Sequence, residues 1–292
     1  MTEELLSSIS AEDRAEILIQ ALPYIRKYNN KIIVVKYGGN AMTDDTLKEQ
    51  VMEDIVLLTL VGIRVVLVHG GGPEINDLLG RLNIESKFVD GLRVTSAEAV
   101  EVVQMVLAGK VNKTLVNLLQ AKGGNAVGIA GMDGRLIQAK QMKEELGYVG
   151  EVTRVNVEPI MDLLDGGYIP VISTLGCDEQ GNVYNINGDT AAAAIAGALG
   201  AERLIMMTNT PGIMREMGNP ETLIADASVE EAEALKTEGV ISGGMIPKID
   251  CCIDAIQKGV HNVIIMDGRV PHSILTELLT DEGAGTMIKG RL

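Results

Sequence analysis

Aromatic side chains are nearly missing from this chain, which has one Phe, six Tyr and no Trp in 292 residues. Its core must therefore be aliphatic, built from Val, Ile, Leu, Ala and Met. That composition suits a buried, largely parallel sheet with helices on its faces. Long apolar runs are missing too. None reaches the roughly 18 residues that a membrane-crossing helix needs, and the acidic N-terminal stretch has no continuous apolar segment of the leader type. The expectation is a cytoplasmic protein with no membrane partner. Positive charge is in deficit, with 25 Lys and Arg against 40 Asp and Glu, a net charge of −15. This argues against nucleic acid or an anionic membrane as a partner. It leaves a small anionic substrate open, because a local pocket can be basic on an acidic protein. Cysteine is scarce and odd in number. Cys177, Cys251 and Cys252 read as small buried thiols in a reducing compartment.

Familiar site signatures are also absent. There is no G-x-x-x-x-G-K-[ST], which excludes a P-loop enzyme, and no G-x-G-x-x-G after a strand. His69, His261 and His272 show no ligand spacing with each other or with the cysteines, so no metal site is expected. His69-Gly70-Gly71-Gly72 could belong to an esterase oxyanion hole, but that needs a G-x-S-x-G elbow. Ser242 comes closest, with Val240 in the leading position.

What the chain does have is glycine and lysine at strand ends and helix starts. Lys36-Tyr37-Gly38-Gly39 and His69-Gly70-Gly71-Gly72 each follow an apolar run, and Gly243-Gly244 precedes Pro247-Lys248. Glycines there let backbone N–H groups approach an anion, and lysines add full positive charge. Lys248 falls in a first helical turn, where a cation opposes the helix dipole unless an anion binds. Asp189, ahead of an alanine-rich run, is placed as an N-cap that could also hold an active-site lysine. Arg93, on an extended segment, offers a guanidinium fork suited to a carboxylate.

The periodicity alternates strand and helix from residue 31 onward. Strands are expected at 31–36, 64–68, 126–129, 169–172, 204–207, 262–266 and 285–288. Helices are expected at 47–61, 73–82, 96–107, 111–122, 159–164, 190–199, 229–237, 246–258 and 274–279. Gly109 separates the third helix from the fourth. Residues 88–95 read as extended, 131–157 as short hairpins and 176–188 as turns. The pattern implies an α/β fold with a mainly parallel sheet covered on both faces. Ligands on such sheets sit beyond the strands' carboxyl ends, where Lys36, His69 and Thr208 fall. Before all this, Ser10-Ala11-Glu12-Asp13 resembles a capping box. Ala15, Leu18, Ala21, Leu22 and Ile25 form an apolar stripe that Pro23 should interrupt.

Together the motifs resemble the amino-acid kinase family, and within it the N-acetylglutamate kinases. The similarity runs in order through V-K-Y-G-G-N-A-M (35–42), V-H-G-G-G-P (68–73), G-L-R-V-T (91–95) and N-K-T-L (112–115). It continues through G-Y-V-G-E-V (147–152), N-I-N-G-D (185–189), G-G-M-I-P-K (243–248) and D-E-G-x-G-T-M (281–287). The first two alone indicate only the wider family; G-L-R-V-T, N-K-T-L and G-Y-V-G-E-V are more specific. The resemblance implies a three-layer αβα sandwich with an N-terminal helical extension (1–30), an acyl-substrate lobe (31–176) and a nucleotide lobe (177–292). It implies ATP, with Mg2+ arriving on the nucleotide, as donor and the γ-carboxylate of N-acetyl-L-glutamate as acceptor, the second step of arginine biosynthesis.

Residue by residue, the resemblance puts Lys36 and Lys248 beside the transferring phosphoryl group, with Asp189 orienting both. Gly38, Gly39, Gly71 and Gly72 would donate backbone N–H groups. Arg93 would hold the α-carboxylate and Asn185 the acetylated amino acid. Asn209, Thr210, Pro211, Gly212, Ile213 and Met214, with Val240, Ile241 and Ser242, would line the nucleotide. Asn209 departs from the commoner Asp, and Gly188 from the commoner Ala. The N-terminal helix resembles that of arginine-inhibited members, where it interlaces dimers into a hexamer. Tyr24, His272 and Glu282 are the expected arginine contacts. The nearest alternatives are a carbamate, aspartate, glutamate or uridylate kinase, and a catalytically silent arginine sensor on the same fold.

Overall fold

Residues 32–37 and 64–69 are apolar on both strand faces, so neither segment suits a wet surface. The computed structural model, which describes residues 9–42 and 44–290, buries both at the centre of one sheet. Residues 1–8 of the expected extension lie outside the described residues. The chain opens with α1 (Ala11–Gln20) and α2 (Leu22–Tyr28). Ser10 caps α1 by accepting from the Asp13 amide at 3.0 Å. The helix breaks at Ala21, as Pro23 near the start of α2 requires.

Next come β1 (Ile32–Tyr37), α3 (Asp45–Leu60), β2 (Arg64–His69) and α4 (Gly72–Arg81). The hairpin β3 (Lys87–Val89) to β4 (Leu92–Val94) turns at Asp90 and Gly91, both at positive φ, as a two-residue hairpin turn prefers. Then α5 (Ala97–Gln104) runs into α6 (Asn112–Ala121) through a π-helical segment, Met105–Val111. Gly109 therefore does not separate two helices, as the sequence suggested. Buried Val106, Leu107 and Val111 hold the chain helical across it.

Further on lie β5 (Ala126–Ala130), β6 (Ile137–Gln141), β7 (Gly150–Val155), α7 (Glu158–Asp165), β8 (Ile169–Ser173), β9 (Leu175–Cys177) and β10 (Val183–Asn185). The remainder is α8 (Gly188–Leu199), β11 (Arg203–Thr208), β12 (Asp226–Ser228), α9 (Val229–Thr237), α10 (Ile246–Gln257), β13 (Asn262–Asp267), α11 (Ser273–Leu279) and β14 (Gly285–Lys289). The three-residue β12, too short and too polar to read from sequence, caps the sheet edge.

The eight-stranded sheet has the order β12-β14-β13-β11-β1-β2-β8-β5. Its strands are parallel except at β14, which runs antiparallel to β13 and carries β12 with it. A smaller sheet, β10-β9-β6-β7, is completed by β9 and β10; the expected division at 176/177 falls inside β9. Two apolar cores flank the large sheet. Ile33, Val35 and Tyr37 face the core of Ile55 and Leu58 of α3, Leu115 of α6 and Leu278 of α11. Val34, Val66 and Val68 face the core of Ala192 and Ala196 of α8 and Ile249 of α10. Because strand side chains alternate, Lys36 points to the same side as Val34 and meets α8. The alanines of α8 let that helix lie close on β1. Among the described residues no helix is long and apolar enough to cross a membrane.

Candidate active site

Every parallel strand of the sheet centre delivers its carboxyl end to one place. β1 ends at Lys36 and Tyr37, β2 at His69, and β11 at Thr208, and α8 begins beside them. Lys36 Nζ lies 2.9 Å from Asp189 Oδ1, and Lys248 Nζ lies 2.6 Å from Asp189 Oδ2. Only the Lys248 contact also has hydrogen-bond alignment. Two lysines separated by more than 200 positions thus share one carboxylate. Burial alone would push that carboxyl up, but the Lys36 and Lys248 charges outweigh it and hold Asp189 at about 2.

Asp189 is not the N-cap the sequence suggested. Asn187 caps α8, accepting from the Asp189 amide at 2.9 Å and the Thr190 amide at 3.2 Å. Asp189 sits one position inside the helix, and its side chain is free to reach both lysines. Gly188 sits beside the Lys36 stem: a Cβ there would lie 3.4 Å from Lys36 Cε, an ordinary contact.

Two cavities lie beside this bridge, one lined by both lysines and the other by Gly188, next to Asp189 in the chain. One, of about 410 Å³, is lined by Lys36, Gly39, Asn209, Thr210, Gly212, Ile213, Met214, Val240, Ile241, Ser242 and Lys248. These are eleven of the residues expected at the nucleotide and its phosphates; Pro211 and Gly38 do not line it. Gly38 nevertheless abuts the bridge, since a Cβ there would lie 2.8 Å from Lys36 Nζ. Gly39 sits at φ 73°, with Asn209 Oδ1 2.7 Å from where a Cβ would stand. Met207, Thr208, Met217, Gly244 and Met245 complete the wall. The Asn209 carbonyl accepts from Arg269 Nη2 at 2.7 Å, and Arg269 is paired with Asp267. Thr286 Oγ1 accepts from the Ile213 amide at 2.8 Å, which explains the threonine of the 281–287 motif. Arg269 and Asp267 carried no local sequence signal for the site, and Thr286 stood only in the 281–287 motif.

The second cavity, about 150 Å³, is lined by Gly70, Gly71, Gly72, Phe88, Arg93, Asn185 and Gly188, among others. Arg93 is buried under Phe88, with its guanidinium carbon 4.7 Å from the ring centre. It donates to Asn76 Oδ1 at 2.7 Å and to Ser86 Oγ. Asn185 Nδ2 donates to Thr95 Oγ1 at 3.3 Å, and Thr95 Oγ1 donates to the Arg93 carbonyl at 2.8 Å. Arg93 and Asn185 are thus coupled through one threonine. Among the described residues no three His, Cys, Asp or Glu side chains converge as a metal cage.

A larger cavity, about 1330 Å³, lies elsewhere. It lies by Glu202, Arg203 and Asn262, at the amino ends of β11 and β13, opposite the lysine bridge. Lys27, Glu277, Asp281 and Glu282 line it. Tyr24 neighbours Asp281, whose hydrogen bond raises the phenol pKa. His272 instead pairs with the buried Asp54 of α3, with Nδ1 2.6 Å from Oδ1. Size alone would favour this cavity as the active site; the convergence of charge and strand ends favours the other two.

Comparison with known proteins identifies the family. The amino acid kinase family matches residues 31–267. An acetylglutamate kinase of Clostridioides difficile (strain 630) is 56% identical over 278 residues, 95% of this chain and 97% of that protein. The N-acetylglutamate synthase of Neisseria gonorrhoeae, solved with coenzyme A and N-acetyl-glutamate, superposes with a TM-score of 0.84 at 28% identity. The superposition covers 95% of this chain but only 64% of the synthase, so the chain spans just under two thirds of that protein. The same synthase, solved with coenzyme A and L-arginine, gives a TM-score of 0.79 at 26% identity, over 95% of this chain and 65% of the synthase. The chain therefore belongs to the amino acid kinase family, and within it to the acetylglutamate kinases.

Proposed function

We propose that the chain transfers the γ-phosphoryl group of ATP to the γ-carboxylate of N-acetyl-L-glutamate, giving N-acetyl-L-glutamyl 5-phosphate in the second step of arginine biosynthesis. The observation that carries this reading is the Lys36–Asp189–Lys248 bridge, with one cavity lined by both lysines and a second lined by the adjacent Gly188. The larger cavity suits the nucleotide. The smaller one, with Arg93 and Asn185, suits an acylated amino acid whose α-carboxylate meets the guanidinium.

The chemistry follows from the residues. A γ-carboxylate, with an ordinary pKa of about 4.3, is already ionised at neutral pH, so the reaction needs no general base. Phosphoryl transfer spreads charge over equatorial oxygens, and catalysis is mainly positioning and electrostatic stabilisation. Lys36 and Lys248 supply that charge from the two sides of Asp189. Asp189 keeps both ammonium groups aimed at one point and does not take up a proton near neutrality, because its pKa lies at about 2. Amides of Gly38, Gly39, Gly71 and Gly72 add neutral donors. Mg2+ bound to the nucleotide's phosphate oxygens would add charge neutralisation.

The reading extends to regulation. Arginine as a feedback inhibitor is supported by the charged cavity beside Tyr24 and Glu282 and by its distance from the lysines. Assembly into dimers and a hexamer is supported by the apolar stripe of α1 and α2, where Leu18 is 73% and Leu22 47% exposed in the single chain. We place the enzyme in the cytoplasm, consistent with three free cysteines.

A coupled assay of ADP release with ATP, with and without N-acetylglutamate, tests the function. It is repeated with carbamate, aspartate, glutamate and UMP as acceptors, and then with arginine. ADP release dependent on N-acetylglutamate is expected. Release with another acceptor alone, or none at all, would overturn the assignment.

A further inference from the structure

His69 takes no part in the transfer as described, yet its imidazole is fully buried and both ring nitrogens are engaged. Nδ1 lies 2.8 Å from the Gly70 carbonyl oxygen. Nε2 lies 3.1 Å from Asn112 Nδ2. A carbonyl only accepts and an amide NH2 only donates, so Nδ1 carries the proton and Nε2 is bare. The orientation of Asn112 is fixed in turn. Its Nδ2 also donates to the Val171 carbonyl at 2.9 Å, while its Oδ1 accepts from Lys113 Nζ at 3.0 Å. Burial pushes the imidazole down to about 4, which keeps it neutral near pH 7.

The Gly70 carbonyl and the Gly71 N–H belong to one peptide unit. No cis bond occurs in the described chain, and in a trans peptide those two groups point in opposite directions. Drawing the carbonyl toward His69 therefore turns the Gly71 N–H away from the imidazole. A second brace acts on the same loop. A Cβ on Gly71 would stand 2.7 Å from Leu107 Cδ2 and 3.2 Å from Val111 Cγ2, both in the π-helical segment. That segment ends where Asn112 begins. One irregular helix thus supports the glycine loop and presents the asparagine that sets the histidine tautomer, a use consistent with π segments near functional sites.

We propose that His69 is a positioning residue for the phosphoryl transfer: locked as its Nδ1–H tautomer by Asn112, it orients the Gly70–Gly71 peptide so that the Gly71 N–H faces the acceptor cavity. This rests on the kinase reading above. The test compares wild type, His69→Leu and His69→Asn in the ADP assay, together with 15N NMR of the wild-type imidazole. An Asn amide can occupy the Nδ1 position and donate to Gly70, whereas Leu cannot. His69→Leu is expected to lower kcat roughly tenfold or more, as for a displaced transition-state donor, with KM for ATP nearly unchanged. His69→Asn is expected to restore most of kcat, and the wild-type spectrum to show protonated Nδ1. Equal kcat in wild type and His69→Leu would overturn the inference alone, as would a protonated Nε2. The NMR result decides even if the Leu variant fails to fold. A wild type that is silent with N-acetylglutamate would overturn the kinase reading and this inference with it.

Discussion

Asp189 shows how much one carboxylate can organise. It is nearly enclosed, yet two lysines keep it ionised, so the pairing is linked to pH. Its ordinary value of 3.8 falls to about 2 in the fold. A depressed acid stabilises the fold above its unfolded pKa and loses that contribution as pH falls through its folded pKa. The contribution, about 2 kcal/mol by linkage, is fully present above about pH 4 and fades toward pH 2. Melting temperatures of wild type and Asp189→Asn across this window should therefore converge as pH falls; a constant gap would contradict the pairing. The lysines were legible in the sequence because glycines stand beside them at strand and helix ends. The role of Asp189 was only half legible. A short acid ahead of a helix looks the same whether it caps or sits one residue inside, and here Asn187 took the cap. Arg269 and Thr286 bond to the proposed nucleotide loop across 60 and 73 positions, a relation that no local pattern encodes.

At the level of elements, buried Asp54 of α3 pairs with the half-exposed His272 that precedes α11. Burial pushes Asp54 up to about 6, and His272 only partly offsets this. A raised acid works in the opposite sense to Asp189. Stability is lost as pH rises from about 4 to about 6, because the folded state holds its proton longer. Asp54→Asn should therefore raise the melting temperature more at pH 8 than at pH 4. A variant less stable than wild type at pH 8 would show that the hydrogen bond to His272 outweighs the burial cost. Most elements were legible because apolar periodicity changes cleanly between 2 and 3.6 along this chain. The π-helical segment was not. Gly109 suggested a break, and only the buried Val106, Leu107 and Val111 explain why the helix continues. Packing decided there, and propensity yielded. The three-residue β12 was hidden for a related reason, since pairing with β14 rather than composition makes it a strand.

Across the whole molecule the parallel sheet separates two sets of cavities by its own polarity. Carboxyl ends of β1, β2 and β11 carry the lysine bridge and glycine loops, while the amino ends of β11 and β13 border the large charged cavity. The strands linking them are buried, which suits communication between the proposed arginine site and the chemistry. Deleting residues 1–27 removes α1 and most of α2 but no residue of either active-site cavity. On the proposed regulation, that truncation should keep N-acetylglutamate-dependent activity while losing the proposed arginine sensitivity and hexamer, as read by the ADP assay with arginine and by light scattering. Inhibition that persists would show that the N-terminal helices are not required for it. The most direct test concerns the two lysines themselves. Steady-state ADP release is measured for Lys36→Ala and Lys248→Ala while N-acetylglutamate and ATP are varied. Each variant should lose roughly a hundredfold or more in kcat, with far smaller changes in KM, because the charge acts mainly on the transition state. Near wild-type turnover in both variants would contradict the account.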